Sequence, residues 1–167
     1  MTQGPARHLA LLAGITAASV PVMMLLYHWL GFDAAALAVL GFGTAMVAAP
    51  LLLRAGASLE LASNVFLSGL FGLKVWLACH LGGLGAVSTA WFVLCPLVAA
   101  LLGGARPAVV WAALVFKAYA VLFLWSRFVG PLVPHPVRDA EALALAGQLG
   151  LLVLVTVVAL CFREDTR

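Results

Sequence analysis

Charge is what this sequence most lacks. Only 9% of its 167 residues are charged, against 65% hydrophobic. A water-soluble domain coats itself with roughly 25% charged residues, so much of this chain's surface must meet lipid. Carboxylates are scarcest, with six Asp and Glu in all. They fall where helices end or in loops, so neither an acidic cluster for magnesium nor a paired-carboxylate centre is expected. The three cysteines, Cys79, Cys95 and Cys161, are odd in number and widely spaced. That argues against a CxxC motif, a disulfide framework or a zinc site, and they read as small apolar packing residues. There is no GxSxG, no HExxH and no Gly-rich phosphate loop. No basic stripe with interleaved aromatics is present to hold nucleic acid. Catalysis within this chain is not expected, and neither is a bound cofactor.

What the sequence does have is long apolar runs. A membrane helix needs about 20 mostly apolar residues, and six segments meet or approach that, at about 9–29, 34–53, 59–80, 86–102, 107–125 and 140–162. The expected fold is all-α, an integral membrane six-helix bundle forming a single transmembrane domain over residues 1–167. Arg7 and His8 precede the first run, but no small-residue cleavage site stands out, so the run reads as a span and not a signal peptide. Asp33 is placed to cap the second helix and Ser58 the third, with Glu60 in its first turn. Pro107 suits the first position of the fifth, where a missing N–H costs nothing. Asp139 and Glu141 suit the positive end of the sixth. Short connections make neighbouring spans antiparallel. Arg7, Arg54, Arg106, Arg163 and Arg167 then share one side, against Arg127 and Arg138 on the other. The positive-inside rule puts both termini in the cytoplasm.

Two lysines fall inside spans. Lys117 lies near the middle of the fifth, where a charge costs about 3 kcal/mol on insertion scales. No carboxylate lies at matching depth, so the side chain must stay neutral, reach water, line a wet cavity or meet a bound anion. Lys74 is nearer the outer end of the third span and can snorkel. Tyr27, Trp29, Phe32, Trp76, Trp91, Phe92, Phe123, Trp125 and Phe128 gather toward the outer side, either as an interfacial belt or as walls of an outward-opening pocket. Asn64, Ser63, Ser68, Thr44 and Gln148 are polar at membrane depth and suit interhelical hydrogen bonds. Gly41 and Gly43, and Gly69 and Gly72, permit close helix approach. Pro21 and Pro96 should kink their spans. The expected site is a cavity between the third, fourth and fifth helices, lined by Lys117, Lys74, Trp76, Trp91 and Phe92, with Asn64 nearby. His28 and His80 sit at outer helix ends and would be metal ligands only if haem were bound.

The stretch from His80 to Leu114 carries a Gly-Gly turn (Gly82, Gly83), then Trp91-Phe92, Pro96, Leu101-Leu102-Gly103, Arg106 and Trp111. This order resembles the six-helix membrane sensor regions that precede bacterial histidine kinases and diguanylate or adenylate cyclases. The likeness extends to Arg54 and the loop before the third span. It departs at Ser88-Thr89, where those regions often have Ser-Pro. The resemblance implies a receptor module of two-component or cyclase signalling in the bacterial inner membrane. Its last helix would pass a signal to a cytoplasmic output domain in a homodimer. That domain would follow Arg167, so the chain reads as part of a longer protein or a free-standing relative. The expected ligand is a small amphiphile with an acidic or carbonyl head. The rival readings are a substrate-binding subunit of a vitamin importer, a haem-binding membrane anchor and a ligand-free envelope scaffold.

Overall fold

A computed structural model describes residues 3–165. Six α-helices run through them without a strand: α1 (Gln3–Trp29), α2 (Asp33–Arg54), α3 (Leu59–His80), α4 (Leu94–Gly103), α5 (Ala105–Phe128) and α6 (Ala140–Asp165). All but α4 are long and apolar enough to cross a bilayer. By length and composition the chain is an all-helical, multi-pass membrane bundle. Arg167, which entered the charge count above, lies outside the described residues.

The fourth span is not one helix. Residues 87–93 form a seven-residue 3-10 helix, and only Leu94–Gly103 is α-helical. Local chemistry accounts for the break. Thr89 donates its hydroxyl to the Ala86 carbonyl at 2.7 Å, a turn bond that competes with helical pairing. Pro96 has no N–H for the Phe92 carbonyl and its ring crowds it, so regular α geometry cannot extend back through this point. Instead of kinking a continuous helix, Pro96 sits in the first turn of α4, where prolines are tolerated. A 3-10 run rises about 2.0 Å per residue and an α-helix 1.5 Å. The two pieces together therefore reach about 29 Å, close to the hydrocarbon thickness of a bilayer.

Helix ends follow the sequence in part. Ser58 caps α3, accepting from the Leu61 N–H at 3.1 Å. Asp139 caps α6, accepting from the Ala142 N–H at 2.8 Å. Asp33 does not cap α2. It lies inside the first turn, behind Phe32, and pairs with His28 at 2.6 Å. Pro107 is the third residue of α5, not the first.

α1, α2 and α3 pack in sequence, α4 leans on α1 and α3, and α5 pairs with α4. A Cβ at Gly69 would lie 3.1 Å from the Phe42 carbonyl oxygen, so glycine sets how closely α2 and α3 approach. Gly43 and Gly72 are similarly tight, whereas Gly41 has open space around it. α6 has the lightest attachment, resting on the 3-10 segment and α4.

The connection between α5 and α6 is an extended strap over the far end of the bundle. The His135 N–H donates to the His80 carbonyl at 2.8 Å and the Arg138 N–H to the Leu30 carbonyl at 3.0 Å. The Arg138 guanidinium adds a bond to the Trp29 carbonyl at 3.2 Å. Under the strap, Phe32 stacks on His135 at 4.1 Å and on Trp76 at 5.8 Å, and Trp76 stacks on His80 at 4.0 Å. Tyr27, Phe32 and Trp76 therefore plug this end of the bundle, whereas Trp29, Phe123, Trp125 and Phe128 are exposed on its outer surface.

Candidate functional site

The site is built around α3. Along that helix Phe66, Leu67, Leu70, Leu73, Lys74 and Leu77 are buried. They recur at helical spacing of three and four, so Lys74 is carried inward on the same stripe as its apolar neighbours. It is 9% exposed. Its Nζ lies 3.7 Å from the ring centroid of Trp91, which the 3-10 segment supplies. No salt bridge to Lys74 exists among the described residues. Among aromatic rings, the π-face of an indole is the strongest partner for a cation.

Lys74 and Trp91 both line a cavity of about 400 Å³. Small-molecule sites span roughly 300–1,000 Å³. Its walls come from α1, α2, α3, the 3-10 segment with α4, and α6, and Lys74 is the one charged side chain among them. α1 and α6 face one another across it. Polar groups are few. Thr16 and Ser19 return their hydroxyls to carbonyls of their own helix, Leu12 at 2.9 Å and Thr16 at 3.0 Å. Ser88 is different: it lines the cavity, is 5% exposed, and its Oγ has no hydrogen-bond partner. The same cavity thus holds a buried ammonium and a buried, unpartnered hydroxyl, within largely apolar walls.

The Trp91 ring also touches α6. A Cβ on Gly150 would sit 3.0 Å from its Cζ2 and Cη2 atoms, and one on Gly147 would clash with Val87. Two glycines one turn apart let α6 lie flat against the indole. One aromatic ring therefore contacts the buried cation and the last helix together.

The structure brings only Lys74 and Trp91 of the expected residues into this cavity. Lys117 does not line it. It lies on the exposed face of α5, whose buried face carries Trp111, Val115 and Leu122. The cavity is bounded by α6 where α5 was expected. Phe92 is fully buried but points to the other side of the 3-10 segment, against Phe71 at 5.6 Å and Tyr119 at 5.4 Å. Trp76 belongs to the plug under the strap. Asn64 accepts a 3.4 Å bond from the Trp111 indole in a second cleft at the opposite end. His28 turns to Asp33, and the His80 Nδ1 lies 2.8 Å from the Trp76 carbonyl oxygen. Sequence reasoning passed over Ser88 as a ligand-facing group; only its place beside Trp91 signalled it. No protein family, curated protein or solved structure matches this chain.

Proposed function

We propose that this chain is a membrane-embedded receptor module that takes a small acidic amphiphile into the cavity between α1, α3 and α6. The observation that carries the proposal is the placement of Lys74, a buried cation with an aromatic face but no anion beside it among the described residues. A carboxylate head would pair with the ammonium and accept from the Ser88 hydroxyl, while the apolar body fills the rest. Charge-assisted bonds of this kind are roughly twice as strong as neutral ones. An anion that draws Lys74 away from Trp91 changes what the ring presents to Gly147 and Gly150. Ligand binding then biases the position of α6, as a population shift between two packings. In this reading both termini are cytoplasmic, the membrane is the bacterial inner membrane, and α6 leads to a kinase or cyclase output in a paired receptor.

The test is titration of the purified chain in detergent with palmitate, following tryptophan emission, with Trp91→Phe as the reporter control. Saturable quenching that disappears in the phenylalanine variant is expected. Palmitate and its methyl ester binding equally well would refute an acidic ligand.

A further inference from the structure

A second cleft lies at the end of the bundle where α1 begins and α6 ends. It is independent of the cavity above, with a volume of about 410 Å³. It is framed by the start of α3, the end of α4 and the start of α5. Its polar lining is Glu60, Ser63, Asn64, Arg106 and the indole of Trp111, over an apolar floor that includes Leu67, Leu102 and Val110. Glu60 and Arg106 share it without forming a salt bridge. Ser63 is 8% exposed and its Oγ has no hydrogen-bond partner.

The two helix starts in this cleft are chemically unequal. α3 opens with the Ser58 cap and carries Glu60 in its first turn, so its positive end is already answered. α5 opens at Gly104, which offers no side-chain cap, has no acidic residue in its first turn and adds Arg106. Orphan N–H groups, the helix dipole and a guanidinium all favour an anion at α5. Glu60 beside them disfavours a ligand that is only anionic, and it offers a partner for a cation. Glu60 and Arg106 each lie in the first turn of a helix long and apolar enough to cross a bilayer, so the cleft sits at span ends, where headgroups would lie. A phosphodiester and a primary ammonium on one short tether answer both charges, and acyl chains can follow the apolar floor.

We infer that this cleft is a binding site for a zwitterionic aminophospholipid of the leaflet at that end of the bundle. Its phosphodiester sits against Arg106 and the bare start of α5. Its ammonium sits against Glu60. Ser63 and Asn64 satisfy the remaining phosphate and glycerol oxygens. Such a lipid fixes the α4–α5 hairpin against α3.

The full chain, delipidated in detergent, is titrated with short-chain phosphatidylethanolamine, phosphatidylcholine and phosphatidylglycerol, and bound lipid is counted by native mass spectrometry. Phosphatidylethanolamine should be retained about tenfold more than phosphatidylglycerol, the ratio expected when one ion pair forms and one repulsion is avoided. Glu60→Gln should reverse that order, a reversal that a misfolded protein cannot show. Arg106→Gln should lose both lipids, and Arg106→Lys should keep part of the retention. Glycerophosphoethanolamine, the headgroup without chains, should not compete at equal concentration. Equal retention of the three lipids by the unaltered chain would overturn the site. So would an unchanged order in the glutamine variant. Competition by the chainless headgroup would overturn the assignment to a lipid.

Discussion

Replacing Lys74 by methionine separates the cost of the buried charge from its use. In the empty protein the ammonium makes a desolvated cation–π interaction with Trp91, worth about 2 kcal/mol. Against this stands the cost of a lysine at membrane depth, about 3 kcal/mol at a helix centre and less toward an end. Lys74 is six residues from the end of α3 at His80, or about 9 Å along a helix axis. The two terms nearly cancel, with a small surplus on the cost side. Methionine fills similar volume and makes a favourable sulfur–aromatic interaction of about 0.3–1.5 kcal/mol. Lys74→Met should therefore leave the empty protein as stable, or stabilise it by up to about 2 kcal/mol, as these terms sum. Binding of a carboxylate should weaken by the value of a charged hydrogen bond, about 1.5–3 kcal/mol, or roughly tenfold to a hundredfold. Thermal unfolding in detergent, followed by near-ultraviolet circular dichroism, reads the first quantity, and palmitate titration reads the second. A methionine variant that loses several kcal/mol of stability yet binds palmitate unchanged would refute the reasoning and make Lys74 a structural cation.

Enlarging Gly150 to leucine should push Trp91 away from α6, costing about 1–3 kcal/mol by overpacking, and should abolish any palmitate-dependent change in a spin label on α6 while palmitate still binds. A label response of unaltered size in that variant would show that Trp91 is not the link. For topology, single cysteines at Ala55 and Ala105 in a cysteine-free background should be protected from an impermeant maleimide in intact cells, while one at Val133 reacts; all three positions are exposed in the fold. Labelling of Ala55→Cys from outside would overturn the orientation.

The apolar runs made the membrane class and five of the spans legible, because length and composition alone decide whether a helix can cross lipid. The Ser58 cap was legible as a polar residue before an apolar run. At Asp139 a favourable charge at the helix start was legible but not the cap itself, and the reasoning used for Ser58 misplaced Asp33, which pairs with His28 instead. The cavity was not, because spans apolar on most sides hide their phase. Lys74 shares the i, i+3, i+4 stripe of Leu70, Leu73 and Leu77, but the positions between them are largely apolar too. On α5 the buried face runs through Trp111, Val115 and Leu122. At about 100° per residue, Lys117 falls some 120–160° from those positions, outside the packed face. Depth pointed to Lys117 as the costly cation, whereas azimuth decides which lysine meets the interior. The break at Val87–Val93 rests on a hydroxyl turn at Thr89 and a proline seven residues later, a combination that hydropathy cannot register.

The 3-10 stretch gives the fourth span a thread pitch different from that of every other helix in the bundle. Seven residues at three per turn advance by roughly 120° each, against 100° in an α-helix. Rewinding them to α would shorten the span by about 3.5 Å and twist its two ends past one another by roughly 140°. Trp91 and Phe92 project from this stretch to opposite sides, one to α6 and the other to Tyr119 on α5. A change in winding here would therefore act as a screw between the two outermost helices, loosening its grip on one as it tightens on the other. Such a rewinding would add a rotation to the displacement that the shortening alone produces.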